Sequence, residues 1–367
     1  MKVMTIMGTR PEVIRLSRVM ALLDEYTEHV MVHTGQNYDY ELNQVLFEDL
    51  ELRAPDFVFD IDTSTVGTVY GSVLARSEEV LRSEAPDAVL ILGDTNSSIA
   101  CIIARRLKIP VFHMEAGNRS FDWEVPEETN RRIADHISNY NLVYTEHARR
   151  NLLAEGIHPE RIYLTGSPMR EVLDHYRPRI DASAVLEDQD LVPGEYLLAS
   201  VHREENVDRP ERLKRVLESL DALGKEHGIP VLVSTHPRTR MRLTELGDEF
   251  TSDAIRWHKP FGFLDYNKLQ MHARCVISDS GTIGEESAIL GFPAVTPRNS
   301  MERPEALDAG TLTISGLQPE SVVRSVGQAI LLAVDRKPHL PVEYTITDTS
   351  VRVLRLITGK SMTPQRF

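Results

Sequence analysis

The chain has 367 residues, of which 41% are hydrophobic and 26% are charged. This length exceeds what one hydrophobic core usually serves, so the sequence predicts two domains. The formal net charge of −14 argues against a partner such as nucleic acid or an anionic membrane, because phosphate groups select a basic surface. The N-terminus lacks a secretory pattern and no apolar run is long enough to span a membrane, so we expect a cytoplasmic protein.

Short apolar runs alternate with amphipathic stretches in the first half, which is typical of a parallel α/β sheet. The predicted strands are KVMTIMG, HVMVHTG, DAVLILGD, PVFHMEAG, LVYT and RIYLTG. Helical patterns separate them, for example PEVIRLSRVMALLDEY and SSIACIIARRLK. These elements predict a Rossmann-like domain over residues 1–176.

The alternation restarts after a polar stretch, residues 177–194, which we interpret as a linker. The new strands are YLLASVH, PVLVSTH, AIRWHK, CVISDSG and PAVTPR, and they predict a second Rossmann-like domain over residues 190–340. The closing TSVRVLRLITG reads as a helix within residues 348–367 that packs back on the first domain. The fold class is therefore α/β, with two doubly wound domains facing across a cleft.

Ligands of open α/β sheets bind beyond the carboxyl ends of the strands, where GTRPE stands first. Thr9 is expected to cap a helix that begins at Pro11, which leaves backbone N–H groups for an anion. Arg10 and Arg15 add positive charge. An ordinary strand-to-helix turn explains the same segment, and taken alone the segment slightly favours that explanation.

Two further strand ends carry acids, Asp94 and Glu115. If their strands are neighbours, both carboxylates reach the same crevice. A structural alternative makes Asp94 a helix N-cap, which is commoner than catalysis. Glu115 has a structural alternative as well, in a pair with Arg119 or His113.

The stretch EVPEETNRR begins a helix at Pro126, where Glu127 and Glu128 favour the positive end of the helix dipole. That structural role accounts for one glutamate. Three acids near one crevice nevertheless suggest proton transfer.

A matching segment of the second half, CVISDSGTIGEES, leads from a strand into a helix. The small residues Ser280, Gly281 and Thr282 let backbone N–H groups approach phosphate oxygens. Glu285 and Glu286 are placed to accept hydrogen bonds from ribose hydroxyls, with dipole-favoured surface acids as the alternative.

Two histidines follow strands of the second half, His202 and His236. Their spacing does not fit a zinc pair, so contact with a substrate or acid–base work is the better functional interpretation. Arg303, between two acids, is either part of a structural ion pair or a clamp on phosphate.

Seven segments together resemble the non-hydrolysing UDP-N-acetylglucosamine 2-epimerase family: GTRPE, GDT, HMEAGNR, PEETNRR, HREEN, SDSGTIGEE and ERPEAL. The resemblance runs from about Lys2 to Gly310. It implies the GT-B architecture, an active site between the domains, a homodimer, and a UDP-sugar substrate handled without NAD, metal or another cofactor. It also implies a mechanism, in which UDP is eliminated to give a 2-acetamidoglycal and then added back with inversion at C2.

The resemblance assigns roles residue by residue. Its catalytic positions fall on Asp94, Glu115, Glu127 and His202. The positions that bind UDP or its phosphates fall on Arg10, Arg15, His236, Ser280, Gly281, Thr282, Glu286 and Arg303.

The sequence departs from enzymes that act on plain UDP-N-acetylglucosamine. It reads HMEAGNR, with Arg15 in place of lysine and Thr282 in place of a glycine. It is closer to the branch acting on modified sugars, so we expect UDP-2,3-diacetamido-2,3-dideoxyglucuronate in polysaccharide synthesis, with Asn118 or Arg119 contacting the sugar. UDP-N-acetylglucosamine and the precursor of UDP-N-acetyl-L-fucosamine are the alternatives. GQNYDYELNQ lacks the histidine of the family's allosteric site.

Three other functions stay open: two enzymatic activities and one binding function. A hydrolysing epimerase would release UDP with the free sugar. A glycosyltransferase of the same architecture would need an acceptor groove and has little use for both Glu115 and Glu127. A non-catalytic protein that binds nucleotide sugars would not need the acids.

Overall fold

The structure, a computed structural model, describes residues 1–35, 40–246, 252–335 and 340–361. The chain divides into two compact units, Met1–His175 with Ile346–Phe367, and Tyr176–Thr345. Each unit is built on one parallel β-sheet whose strands alternate with helices. Of the stretch considered for an allosteric site, residues 36–39 and the side chains of 40–44 lie outside the description.

Among its described residues the first unit contains seven strands, β1 Lys2–Met7, β2 Glu28–His33, β3 Phe57–Val58, β4 Ala88–Leu92, β5 Val111–Met114, β6 Tyr140–Val143 and β7 Ile162–Leu164. Its helices up to the boundary are α1 Arg10–Tyr26, α2 Tyr40–Asp49, α3 Val66–Glu84, α4 Cys101–Arg106, α5 Glu127–Ile137, α6 Glu146–Ala154 and α7 Met169–Asp181. The sheet order is β3-β2-β1-β4-β5-β6-β7. All pairings are parallel.

Apolar strands explain this sheet. In β4 every side chain is buried, as expected for a parallel strand with helices on both faces. The six predicted strands of this half are present. The two-residue β3 was not predicted, because so short an edge strand carries no periodic signal. The predicted helix SSIACIIARRLK begins as a 3₁₀ helix, Asn96–Ala100, and continues as α4.

The described part of the second unit contains six strands, β8 Leu197–Ser200, β9 Val231–Ser234, β10 Ile255–His258, β11 Val276–Ser278, β12 Ala294–Thr296 and β13 Thr313–Ile314. Its helices are α8 Val185–Asp188, α9 Glu204–Val207, α10 Pro210–His227, α11 Pro237–Leu246, α12 Phe263–His272, α13 Ile283–Leu290, α14 Glu305–Asp308 and α15 Pro319–Asp335. The parallel order is β10-β9-β8-β11-β12-β13. Five strands match the prediction, and β13 was missed. The stretch 177–194 contains the end of α7 and the short helix α8.

Each sheet has one point where the strand order reverses. In the first unit the chain proceeds outward from β1 to β3 and restarts at β4 on the other side of β1. In the second unit it proceeds from β8 to β10 and restarts at β11 beside β8. Open α/β sheets form binding crevices at the carboxyl ends of such strand pairs. The segments after β1, β4, β8 and β11 are therefore the places to look for a site.

The closing helix α16, Thr349–Lys360, belongs to the first unit and packs against α1. Its Val353 and Ile357 are fully buried. At its start, the Thr349 hydroxyl hydrogen-bonds the carbonyl of Ser167 at 3.2 Å. Two distant parts of the chain thus complete one unit.

Candidate active site

The segment after β1 is organised by a buried glutamate that sequence reasoning missed, Glu12. Its carboxylate accepts hydrogen bonds from the Gly8 N–H (3.1 Å) and from the hydroxyls of Thr9 (2.8 Å), Thr95 (3.0 Å) and Ser97 (2.5 Å). Burial raises the pKa of this carboxyl above its ordinary value. Thr9 occupies the N-cap position of α1 without the expected side-chain cap, because its hydroxyl faces Glu12. A threonine followed three residues later by glutamate was the available signal.

Asp94 follows β4 and does not cap a helix. Thr95 caps the 3₁₀ helix instead, by accepting the Ser97 N–H. The Asp94 carboxylate contacts Arg131 of α5, whose Nε lies 3.0 Å and whose Nη2 lies 2.5 Å from Oδ2. Asn130 Nδ2 donates to the Asp94 carbonyl at 3.0 Å. The capping alternative is therefore wrong, and the carboxylate is oriented from α5.

Glu115 lies beside Asp94's segment, because β4 and β5 pair with Leu92 opposite Met114. A Cβ on Gly93 would lie 3.8 Å from Glu115 Oε2. Glu115 adopts a left-handed backbone with φ of 66°, which is rare for a residue with a side chain. Its buried carboxylate contacts the guanidinium of Arg15, a residue to which the family resemblance assigns UDP binding.

A buried polar network lies beneath the Glu115 turn. Asp135, fully buried on α5, accepts the Gly117 N–H at 3.2 Å and Arg119 Nη1 at 2.7 Å. His113 Nδ1 lies 2.9 Å from the same carboxylate, and its Nε2 donates to the Gly93 carbonyl at 2.8 Å. The network joins the ends of β4 and β5 to one helix.

Arg119 is part of this network and is only 2% exposed. It contacts Asp135 and also Glu155, at 2.8 Å from Nε and 2.6 Å from Nη2. The hydrogen bond from Arg119 lowers the pKa of Glu155 from 4.5 to about 2. This geometry supports a structural role for Arg119 and does not support the expected sugar contact. Asn118 lies with Nδ2 3.5 Å from Glu115 Oε1.

The two glutamates that open α5 differ in environment. Glu128 is fully buried and accepts from Arg131 (3.0 Å), Arg132 (2.9 Å) and the Ser120 N–H (3.1 Å). Glu127 is partly exposed at the first position of the helix. The structural role that the sequence predicts for one of these two glutamates at the start of α5 therefore belongs to Glu128.

The remaining expected residue of this unit, Arg10, begins α1 and is partly exposed. In the second unit, His202 follows β8 and His236 follows β9, with ring centroids 5.5 Å apart. His236 is exposed, and its Nδ1 accepts the Arg238 N–H at 3.3 Å near the start of α11. The sequence therefore located two neighbouring histidines correctly at strand ends.

The segment Ser280–Thr282 follows β11 and leads into α13. The Ser280 and Thr282 hydroxyl oxygens lie 2.9 Å apart. A Cβ on Gly281 would lie 2.7 Å from Glu302 Oε1 and 3.3 Å from Arg203 Nη2, so the backbone is close to an ion pair here. That pair, at 2.9 Å, was not foreseen, since its partners are 99 residues apart.

Two residues of this unit that the family resemblance assigns to UDP binding form hydrogen bonds with neighbouring residues. Arg303 donates from Nη1 to the Gly281 carbonyl at 2.7 Å and to Glu285 at 2.6 Å, which favours the structural ion pair over a phosphate clamp. Glu286 accepts from Gln270 Nε2 at 2.6 Å. Arg303 therefore stabilises the backbone of the Ser280–Thr282 segment through its hydrogen bond to the Gly281 carbonyl.

In the described ranges no group of three or more His, Cys, Asp or Glu side chains is arranged to hold a metal ion. Likewise, no helix in the described part of the chain is both long and apolar enough to cross a bilayer.

Two parallel α/β units, each with polar strand ends at its switch point, are the architecture of the GT-B class of proteins. WaaG, a glycosyltransferase involved in lipopolysaccharide biosynthesis, has the same fold, with a TM-score of 0.60 at 12% identity over 98% of this chain and 100% of that one. The family model described as UDP-N-acetylglucosamine 2-epimerase matches residues 21–358. The chain therefore belongs to this epimerase family and is an isomerase.

Three relatives illustrate the family. The chain is 34% identical to the UDP-N-acetylglucosamine 2-epimerase of Methanocaldococcus jannaschii, with 98% of this chain and 99% of that protein covered. A crystal structure of that enzyme in complex with UDP-GlcNAc and UDP matches with a TM-score of 0.91 over 98% of this chain and 100% of that one. The structure of the Rickettsia bellii UDP-N-acetylglucosamine 2-epimerase matches with a TM-score of 0.90, at 46% identity and 98% and 97% coverage. The Pseudomonas aeruginosa UDP-2,3-diacetamido-2,3-dideoxy-D-glucuronate 2-epimerase is 34% identical, with 89% of this chain and 91% of that protein covered.

Proposed function

We propose that the protein inverts C2 of a UDP-N-acetylhexosamine by eliminating UDP and adding it back, with UDP-N-acetylglucosamine as the first candidate substrate. The observation that carries the proposal is the pairing of β4 with β5. It brings Asp94 and Glu115, two carboxylates each contacted by an arginine, to the same edge of one sheet.

The chemistry needs groups that take a proton from C2 on one face and return one on the other. In the elimination, the C2–H bond breaks, its electron pair forms the C1=C2 double bond, and UDP leaves C1 with the electrons of the C1–O bond. In the return step a phosphate oxygen of UDP attacks C1 while C2 receives a proton on the opposite face. Asp94, Glu115 and Glu127 are the proposed acid–base groups of this cycle.

The arrangement of Asp94 suits proton transfer. Arg131 contacts only its Oδ2, and across the described residues no hydrogen bond reaches Oδ1. The side chain retains 21% exposure. One oxygen is thereby fixed while the side chain as a whole remains partly exposed, which favours reaction at a defined position.

UDP must stay bound while it is detached from the sugar. We assign this task to the second unit, through His236 and the backbone of the Ser280–Thr282 segment, and the contact with the reacting sugar to His202. Arg10 in the first unit adds positive charge near the start of α1, where helix dipoles favour phosphate. The support is the position of Arg10, His202 and the Ser280–Thr282 segment at the switch points of the two sheets, and the position of the His236 ring beside that of His202.

The substrate choice rests on two observations. The relatives named above include UDP-N-acetylglucosamine 2-epimerases at 34% and 46% identity. The Arg119 side chain, the expected partner of a sugar carboxylate, is buried against acids. The diacetamido-glucuronate sugar stays a second candidate because of the 34% identity to the P. aeruginosa enzyme.

The test is incubation of the protein in heavy water with UDP-N-acetylglucosamine and, separately, with its diacetamido-glucuronate and deoxyhexose relatives. NMR then follows C2. Deuterium at C2 of a sugar still attached to UDP is the expected result. The UDP-sugar that exchanges fastest identifies the class of substrate on which the enzyme acts. Accumulation of free UDP with free sugar would identify a hydrolysing epimerase. Transfer of an undeuterated sugar to an acceptor would identify a glycosyltransferase.

A further inference from the structure

Asp279 is a fully buried acid directly after β11, at the switch point of the second sheet. Its carboxylate accepts hydrogen bonds from the N–H groups of His202 (3.0 Å) and Arg203 (3.1 Å) and from Asn206 Nδ2 (2.8 Å). All three donors come from the segment after β8, which pairs with β11. Because this buried carboxylate accepts hydrogen bonds from three donors of one segment, it determines the conformation of that segment.

The ring of His202 faces the same carboxylate. Its Nδ1 lies 3.3 Å from Asp279 Oδ1, the oxygen that also accepts the His202 N–H. An ionised carboxylate only accepts hydrogen bonds, so this contact is favourable when Nδ1 carries a proton. The His202 side chain retains 35% exposure, so the ring is not enclosed.

We propose that Asp279 is a positioning residue that fixes His202 as the Nδ1–H tautomer and leaves Nε2 to face the nucleotide sugar. The inference rests on the proposed function, in which His202 contacts the reacting sugar. A carboxylate that holds one ring nitrogen of a histidine sets which nitrogen is available for the other partner.

Asp279 also joins the histidine to the segment proposed to bind phosphate. Its own carbonyl accepts from Arg203 Nε at 2.9 Å, and Ser280 follows it directly in the chain. The buried acid therefore couples the position of His202 to that of the Ser280–Thr282 segment. A substitution here needs a control that weakens the same carboxylate network without removing its charge.

The direct test is the tautomer of His202 in the wild-type protein. The protein is labelled with ¹⁵N-histidine and long-range ¹H–¹⁵N spectra are recorded at mildly alkaline pH. The signals of His202 among the 13 histidines are assigned from the spectrum of His202→Gln. A proton on Nδ1 supports the proposal. A bare Nδ1 with the proton on Nε2 overturns it, whatever the variants do.

The second test compares Asp279→Asn with Asn206→Ala. Each removes hydrogen bonds from the same buried network, but only Asp279→Asn removes the carboxylate that faces His202. We expect Asp279→Asn to lose the Nδ1–H preference and to lower kcat by at least roughly tenfold, the lower end of the loss seen when the partner that orients a metal-ligating histidine is removed. Its affinity for UDP should stay within a few-fold. Asn206→Ala should keep the tautomer and most of kcat.

An equal loss of kcat in both variants, with an unchanged tautomer in Asp279→Asn, would show that the acid acts only on stability. The outcome is independent of the wider assignment, since the spectra need no turnover. If no sugar exchanges deuterium while Nδ1 of His202 carries a proton, the epimerase proposal fails and the Asp279–His202 pair stands. If exchange occurs while Nδ1 is bare, the pair fails and the epimerase proposal stands.

Discussion

Arg131 and Asp94 are joined through a single carboxylate oxygen, Oδ2, at 3.0 Å from Nε and 2.5 Å from Nη2. The same arginine contacts the buried Glu128 at 3.0 Å. Arg131 thus connects an acid at a strand end with the interior of the unit. This relationship makes Arg131 the residue through which α5 controls the direction of Asp94.

Replacing Arg131 by lysine should impair catalysis more than stability. Lysine keeps the positive charge but cannot contact Oδ2 through two nitrogens of a planar group, so Asp94 loses its fixed direction. We expect kcat to fall about tenfold or more, since misplaced catalytic groups are costly. Arg132→Lys is the matched control, because Arg132 contacts Glu128 and Glu155 but not Asp94. Comparable kcat values for the two variants would contradict this role.

Asp94→Asn and Glu115→Gln should each lower the deuterium exchange rate by roughly 10²- to 10⁴-fold, the usual contribution of a general acid or base. Both replacements are nearly isosteric, so affinity for UDP should stay within a few-fold. Calorimetric titration of UDP and exchange kinetics measure the two effects separately. Loss of the folded state in both variants would instead assign the carboxylates a structural role.

Gly281→Ala should weaken UDP binding. The new methyl group would approach Glu302 Oε1 to 2.7 Å, and that oxygen is held by Arg203 at 2.9 Å, so the Ser280–Thr282 segment or the ion pair must shift. A shift of a few tenths of an ångström at a phosphate site is expected to raise the Kd roughly tenfold, or about 1.4 kcal/mol. Gly327→Ala is the control, because in α15 the added carbon meets no described atom within 4 Å apart from its chain neighbours and the backbone of its own helix. An unchanged Kd in Gly281→Ala would remove this segment from the proposed UDP site.

Gly117→Ala should destabilise the first unit strongly. Gly117 has φ of 82°, and an added Cβ would lie 2.4 Å from the carbonyl oxygen of Ala148. The left-handed backbone costs about 1–2 kcal/mol and the overlap about 1–3 kcal/mol more. Gly156 has φ of 85°, but an added Cβ would meet no described atom within 4 Å apart from its chain neighbours, so Gly156→Ala should show only the backbone cost. Urea unfolding of the two variants separates the terms, and equal midpoints would refute the steric part.

His33 should make stability fall in weak acid. Burial lowers the pKa of its ring from 6.5 to about 4, so the folded protein disfavours the protonated ring. The stabilisation is present above pH 6.5 and is lost as the pH falls from 6.5 towards 4, because the unfolded chain binds the proton first. His33→Asn keeps an acceptor for the Gly35 N–H, which lies 3.0 Å from Nδ1, and removes the titration. Unfolding free energies between pH 7 and pH 4 should fall less in the variant, and parallel curves would exclude His33 as the source.

The strand ends were predictable because apolar runs and the polar residues after them are local in sequence. Asp94, Glu115 and His202 could be located from their own segments. The partners could not be predicted, since Arg15 and Glu115 are 100 residues apart and Arg131 and Asp94 are 37 apart. Which of two adjacent residues caps a helix, Asp94 or Thr95, depends on whether α5 supplies a stronger partner for the acid. Glu12 and Asp279 were missed because the sequence alone does not distinguish an acidic residue that the fold buries from one that it leaves exposed.

The return of α16 to α1 affects the order in which a growing polypeptide can mature. Residues 346–361 leave the ribosome after the whole of the second unit, yet Ile346 packs against Gly166 and the Ser350 N–H donates to Glu171 at 2.9 Å. The first unit therefore stays incomplete, with the face of α1 that contacts α16 uncovered, until translation has passed every residue of the other unit. A stop codon in place of Ile346 would leave the second unit whole and the first unit, whose larger part is made earlier, without its closing helix.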